Sequence, residues 1–328
     1  MMMKAKQHKQ HGAALITVLL VVAIVSVVAV QLGTQLQNHV SRSSSAYQAE
    51  QSYWMWLSAE EVLSEVLTQE LDANDGIPHL KQAWATETGP FQLAGGGQLS
   101  AAVRDLHSCF NANSLAGGEQ DESLKELRIK QFTALMVALD IDAYQAQRLA
   151  HALSDFVDSD LKLSAQGAED ADYESLPLPY QTANSGLLDI SELRLIRGFS
   201  AEIVDKIRPL VCVIPNNQEL TININTIDLD NAELLVGMTQ GNMSVSAAED
   251  VLRGRPEKGY EEISTVLSEG SLGSLKTETE GGLSELTVNS QFFQLTAFLK
   301  WKDSEIQARS VLQLDGKHTT VIYRAMGD

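Results

Sequence analysis

The chain has 328 residues and a mass of 35.8 kDa, enough for one large or two ordinary domains with packed cores. Its 44% hydrophobic content excludes a chain disordered as a whole. A formal charge of −19 repels phosphate backbones and argues against a nucleic-acid partner, while it concentrates divalent cations.

The first twelve residues, MMMKAKQHKQHG, carry Lys4, Lys6 and Lys9 and no acid. Ala13 to Leu32 follows as 20 uncharged residues, broken only by Thr17, Ser26 and Gln31. About 20 apolar residues in a helix cross a bilayer core. The lysines keep the N-terminus cytoplasmic, which predicts a single-pass anchor with the bulk of the chain outside the cytoplasm. A cleaved secretory signal fits poorly, because VVAVQL at Val27 to Leu32 lacks a small-x-small site. A plain signal anchor fits the hydropathy. The segment resembles a type IV prepilin leader more closely, because its basic stretch ends in Gly12 directly before the apolar run. That resemblance implies cleavage after Gly12 by a prepilin peptidase and methylation of the new terminus at Ala13.

From Ala13 to Leu71 there is no proline and one glycine, Gly33, so the helix is expected to continue past the membrane. Tyr47, Trp54, Leu57, Leu63, Val66 and Leu67 recur at roughly helical spacing. An anchor followed by a separate helix is the alternative. LDANDGIPHL at Leu71 to Leu80 supplies the breakers that end the element. QLSAAVRDL reads as a strand, and Gly95, Gly96 and Gly97 before it read as a hairpin turn. They are no phosphate loop, since no Lys-Ser or Lys-Thr pair follows.

LKELRIKQFTALMVALD and AYQAQRLAHALSDFV carry helical periodicity. Asp160 to Ser185 reads as a polar loop. SELRLIRGFSAEIVDKIRPL reads as a short helix pair around Gly198, Thr221 to Ser268 as a further helical unit, and Glu269 to Gly282 as a loop. SQFFQLTAFLKWKD and IQARSVLQLDGKHTTVIYRA alternate as strands, with LDGKH as a turn. This order predicts an α+β fold: a pilin-like long N-terminal helix packed on a small antiparallel sheet, with a large inserted helical domain. The expected boundaries are a leader at 1–12, the transmembrane and amphipathic helix at 13–70, an α/β body at 71–110 and 285–328, and the insertion at 111–284.

Six carboxylates, Asp155, Asp158, Asp160, Glu169, Asp170 and Asp172, fall within 18 residues, where the average of 43 in 328 gives about two. Hard carboxylate oxygens gathered on a loop suit Ca²⁺, and a solvated acidic loop is the alternative. The segment is no EF-hand, because Lys162 and Leu163 stand where that loop needs an acid and a glycine. His151 precedes Asp155 by four residues, a spacing also found in zinc sites, with no second histidine or cysteine nearby. The two cysteines, Cys109 and Cys212, lack paired metal or redox spacing, and either one disulfide or two buried thiols fits a periplasmic chain.

Several segments together resemble the K-type minor pseudopilin family of the type II secretion system. They are HGAALITVLL at the leader, DLHSCFNANSL at Asp105 to Leu115, FVDSDLKLSAQGAEDADYESLPLPYQTAN at Phe156 to Asn184, DISELRLIRGFS at Asp189 to Ser200, RPLVCVIP at Arg208 to Pro215 and TININT at Thr221 to Thr226. The resemblance implies a tip subunit of the periplasmic pseudopilus that initiates or caps its assembly for export of folded proteins. It implies partners among the I- and J-type minor pseudopilins, other pseudopilins and the inner-membrane assembly platform. It also implies calcium bound in the helical domain, here with Asp155, Asp158, Asp160, Glu169, Asp172, Asn184 and Asp189 as expected ligands, and pairing of Cys109 with Cys212. Thr17 stands at the fifth mature position, where pilins carry glutamate and this family does not.

Three other functions compete with this reading. NTIDLDNAELLVGMTQGNMSVSAAEDVLRGRPEKGYEEISTVL resembles a helix-hairpin-helix, a unit that often binds DNA, but Gly237 and Gly241 form no close pair and acids outnumber bases. No GxSxG, HExxH or cysteine-histidine pattern marks an enzyme, so none is expected. A minor pilin of a type IV pilus, or another signal-anchored periplasmic protein, shares the leader.

Overall fold

The computed structural model describes residues 11–74, 76–93, 96–117, 121–268, 270–275, 283–301, 304–316 and 318–327. The leader residues 1–10, Gly95, Glu269 and 276–282 lie outside them. The helices are α1 (His11–Ala73), α2 (Glu122–Ala138), α3 (Ala143–Val157), α4 (Asp170–Glu174), α5 (Ala201–Ile207), α6 (Glu233–Met238), α7 (Val245–Arg253), α8 (Ile263–Ser268) and α9 (Gly270–Leu275). The strands are β1 (Thr88–Gln92), β2 (Gly97–Asp105), β3 (Phe110–Asn111), β4 (Val211–Cys212), β5 (Ile222–Asn223), β6 (Leu286–Thr287), β7 (Phe292–Trp301), β8 (Ser304–Asp315) and β9 (His318–Met326). The chain forms two compact units, divided after Met55.

In the first unit, α1 is long and apolar enough to cross a membrane, and its apolar residues from Leu15 to Leu32 are exposed. Gly12 and Ala13 lie in its first turn. Thr17 Oγ1 donates to the carbonyl of Ala14 at 2.9 Å, which satisfies the hydroxyl within the helix itself.

In the second unit, the last turns of α1 bury Trp56, Glu60, Leu63, Leu67 and Leu71, one face at three- and four-residue spacing. Leu63 and Leu67 lie on this face as the pattern predicts, whereas Tyr47 and Trp54 are exposed and Glu60 is buried. The reason lies across the interface. Arg324 on β9 donates to both Glu60 oxygens at 2.7 to 3.0 Å, and Ser310 on β8 donates to Glu60. Trp56 Nε1 donates to Ser310 Oγ at 2.7 Å. A buried carboxylate is tolerated only with such partners.

The main sheet runs β1-β2-β7-β8-β9, antiparallel throughout. β2 pairs with β7 from Gly97 opposite Trp301 to Asp105 opposite Phe293, so everything from α2 to α9 is inserted between two adjacent strands. Gly97 is needed because a Cβ there would stand 2.7 Å from the Trp301 ring. The expected turn before β2 closes with Leu93 N–H donating to Gly97 O at 2.7 Å.

The insertion has its own core. Phe132, Leu135 and Met136 from α2 pack with Leu149, Leu153 and Phe156 from α3 and Leu234, Leu235 and Met238 from α6, all at most 2% exposed. Each such side chain contributes about 1.5–3 kcal/mol. Asp121 and Asp142 cap the N-termini of α2 and α3. Gly237 lets α6 lie on α2, since a Cβ there would be 2.8 Å from Leu135 Cβ. Two loop expectations are corrected. The acidic stretch contains α4, nucleated by its acidic N-terminal residues, and Gly270–Leu275 forms α9, which buries Leu272.

The entrance to the insertion is tied at several points. Cys109 and Cys212 form a disulfide with Cα atoms 5.8 Å apart, beside the parallel pair of β3 and β4. The asparagines of the FNANSL segment satisfy buried backbone. Asn113 donates to the carbonyls of Leu187 and Ile214 and accepts from Leu187 N–H, at 2.7 to 3.0 Å. Asp105 accepts from Thr226 and Ser290, which joins the start of the insertion to its end.

Candidate metal centre

The acidic segment begins on the last turn of α3. Asp155 is fully buried, and its carboxylate accepts from Ser164 N at 3.0 Å and from Ser164 Oγ. This folds the loop after α3 back over the helix end. Gly167 makes the fold possible, because a Cβ there would fall 1.8 Å from Asp155 Oδ2. Burial pushes the Asp155 carboxyl up, and the Ser164 hydrogen bonds oppose the shift. Asp158 is the residue immediately after α3, 5% exposed, and Glu169 is the N-cap residue of α4.

This closure brings Asp158, Asp160 and Glu169 together, so that one oxygen from each lies within 4.8 Å of the others. Asp158 Oδ1 and both Glu169 oxygens are buried without a hydrogen-bond partner. Buried carboxylate oxygens normally have partners, and three orphans in one cluster leave a site open to a cation, a proton or a bound water. The Glu169 carboxyl is pushed up to about 7 by burial and then by the nearby charges of Asp155, Asp158 and Asp170. Asp158 is also raised by burial, with Lys125 pulling it down. Gln166 Oε1 and Asn184 Oδ1 are further buried acceptors without partners. Three carboxylates and no sulfur or nitrogen make a hard donor set, which fits Ca²⁺ rather than Zn²⁺.

The other expected ligands have different surroundings. Asp172 pairs with Arg197 at 2.6 Å and accepts from Glu169 N at 3.4 Å, so it steadies the Glu169 turn. Asn184 takes φ 45°, a left-handed conformation that asparagine tolerates. Asp189 is engaged elsewhere: it caps 190–195 through Ser191 N at 2.9 Å and pairs with Arg309 of β8 at 3.2 Å. His151 has its Nδ1 buried without a partner, and burial lowers its imidazole. No histidine joins the metal-capable group among the described residues.

Three residues were missed by sequence reasoning. Lys125 donates to Asp158 Oδ2 at 2.7 Å from α2, and no local pattern links the two. Ser164 and Gly167 lie inside the acidic stretch but read there only as loop residues.

The helix-hairpin-helix-like segment is α6 and α7 joined by a turn in which Gln240 and Gly241 have positive φ. Its arginines are engaged internally. Arg253 pairs with Glu249 and Asp250, and Arg255 donates to the carbonyls of Ile224 and Ile227 at 2.8 Å.

Family models described as type II secretion system (T2SS), protein K match residues 108–216 and 222–289. The type II secretion system protein K of Aeromonas hydrophila is 34% identical over 325 residues, spanning 97% of both chains. Its counterparts in Pectobacterium carotovorum subsp. carotovorum and Klebsiella pneumoniae are each 30% identical, over 97% and 98% of this chain and 97% of theirs. A chain in the crystal structure of the GspK-GspI-GspJ complex from enterotoxigenic Escherichia coli superposes with a TM-score of 0.77 at 31% identity. The match covers 88% of this chain and 99% of that one.

Proposed function

This chain belongs to the type II secretion system protein K family, and from that premise we propose that it is the tip subunit of the pseudopilus. It is a minor pseudopilin, a structural component of the secretion apparatus. In this reading it initiates or caps a short periplasmic filament that exports folded proteins across the outer membrane.

The observation that carries the reading is the insertion of a complete helical domain between adjacent strands β2 and β7 of a pilin-like sheet. A domain of that size cannot repeat along a tightly packed helical filament, so its place is at an end. Thr17 supports the same place. A membrane-embedded carboxylate at that position would need a partner charge on a neighbour, and a terminal subunit has a neighbour on one side only. The likeness to the protein K chain of the solved complex supports I- and J-type minor pseudopilins as its partners. Further pseudopilins and the assembly platform follow in that reading.

The exposed apolar face of α1 supports a single-pass anchor in the inner membrane. Lys4, Lys6 and Lys9 support a cytoplasmic N-terminus by the positive-inside rule. Prepilin peptidase then cuts after Gly12, and Ala13 is methylated. Calcium is held by Asp158, Asp160 and Glu169, while Asp155 positions the loop and Asp172 steadies the Glu169 turn. Bound there, the ion neutralises the buried carboxylates and locks the loop after α3.

Co-purification tests the assembly. A chain lacking Ala13 to Gln37 is expected to bind the I- and J-type subunits in calcium, and absence of a complex would refute the tip assignment. The intact mass of the membrane-extracted protein tests processing. It is expected to begin at N-methylated Ala13, and a mass that retains the leader would refute cleavage.

A further inference from the structure

Lys125 stands apart from the other lysines near the acidic loop. Its side chain is 18% exposed, against 57% for Lys130 and 89% for Lys162. Its stem is pinned where the backbone after Ala112–Ala116 turns through Gly117. A side chain at Gly117, whose φ is +63°, would meet Lys125 Cβ at 2.9 Å. The ammonium is thereby delivered to Asp158, with Nζ 2.7 Å from Oδ2. It also feels the charges of Asp155 and Asp160, and His151 lies close enough to sense both Lys125 and Asp155. The opposite oxygen, Asp158 Oδ1, is the one left without a partner.

This geometry divides one carboxylate between a fixed cation and an open cluster. A lysine ammonium is a compact point charge, the protein group that most resembles a bound cation. Without it, Asp158 and Glu169 would be two buried anions with no ion-pair partner among the described residues, since exposed Lys162 reaches Asp160 instead, at 3.8 Å. With it, the empty site carries one internal neutralising charge, and an incoming divalent ion meets a positive charge already in place. We propose that Lys125 is a tethered counter-ion that stabilises the empty acidic site and weakens its affinity for the divalent cation. The loop after α3 can then respond to the calcium level instead of staying permanently loaded. The proposal rests on the calcium reading of the site.

The test uses the full chain in detergent, with calcium chloride as the probe. Isothermal titration and melting in EDTA and in calcium are compared for the wild type, Lys125→Met and Lys125→Gln. Methionine keeps the length of the stem without the charge, and glutamine keeps a hydrogen-bond donor. A unit charge within about 5 Å of a divalent ion changes affinity by more than tenfold even at an effective dielectric of about 20 to 40. Allowing for a lysine that swings aside, both variants are expected to bind calcium roughly ten- to a hundredfold more tightly. Both are also expected to melt lower in EDTA, so the rise on adding calcium becomes larger. If Lys125 were only a strut for Asp158, methionine would weaken binding and glutamine would restore it; that outcome overturns the proposal. Unchanged affinity in both variants overturns it as well. If methionine prevents folding, glutamine alone decides by the same criterion. A wild type that shows neither binding heat nor a calcium-dependent melting change overturns the calcium reading, and this proposal with it. A wild type that responds to calcium, with variants no tighter, overturns this proposal alone.

Discussion

Replacing Glu169 by glutamine keeps the shape of the side chain and removes its charge, so it separates the cost of the empty site from the gain on loading. In the empty site the Glu169 carboxyl is pushed up to about 7 from its ordinary 4.5. For an acid with a raised folded value, the sign is fixed. The folded protein bears no penalty from this group below about 4.5, loses stability as pH rises from there to about 7, and carries the full cost above that. At about 1.4 kcal/mol per pH unit the difference corresponds to about 3 kcal/mol. Screening by the surrounding solvent lowers this to about 1–2 kcal/mol. In EDTA at pH 8, Glu169→Gln is therefore expected to melt about 2–5 °C above the wild type. Its amide can also donate to the unpartnered Asp158 Oδ1. In calcium the order reverses, because the variant has lost a ligand charge and the wild type gains binding energy. Melting of the detergent-solubilised chain from pH 5 to 8, with EDTA and with calcium, reads both effects. A variant that melts at or below the wild type in EDTA at pH 8, with the same pH slope, would refute the reasoning.

Gly167→Ala places a Cβ where Asp155 Oδ2 now lies, so the loop cannot close over α3. Calcium-dependent stabilisation should vanish while far-UV dichroism keeps its helical signal, and retention of wild-type calcium affinity would count against this. Reducing the disulfide between Cys109 and Cys212, or replacing both with serine, opens a loop of sequence separation 103. Chain entropy gives about 4–5 kcal/mol as the upper cost, visible as a lower urea midpoint; a midpoint indifferent to reductant would refute it. Glu60→Ala strips the acceptor from fully buried Ser310, while half-exposed Arg324 turns to water. A loss of about 1–3 kcal/mol in urea unfolding is expected, with Glu60→Gln losing less, and equal midpoints for both variants would show that the network is not what holds α1 to the sheet.

Elements with strong local periodicity were legible from the chain alone. The uncharged run from Ala13 to Leu32 dictates a membrane-length helix, because its composition leaves nothing for water to favour. The three-to-four spacing in α2 and α3 and the alternation in β7, β8 and β9 did the same for the core and the sheet. α4 and α9 were not legible. Both are short and polar or glycine-rich; α4 is supported by Asp172 accepting from Glu169 N–H and α9 by burial of Leu272, rather than by propensity.

Within the acidic stretch, composition indicated that carboxylates gather but not which of them converge. Asp158, Asp160 and Glu169 meet because Ser164 bonds Asp155 and Gly167 lets the loop pass close over it. Asp189 has the same chemistry and belongs instead to Arg309, a partner 120 residues away. Asp158 likewise receives its charge partner from α2, 33 residues earlier in the chain. Local sequence determined the anchor, the periodic helices and strands, and the presence of an acidic loop, because those depend on neighbours within a few residues. Which carboxylates are left open for a cation and which are held by a lysine or an arginine was decided by tertiary structure alone. That choice depends on distances between segments far apart in the chain, set by the packing of α2, α3 and the sheet.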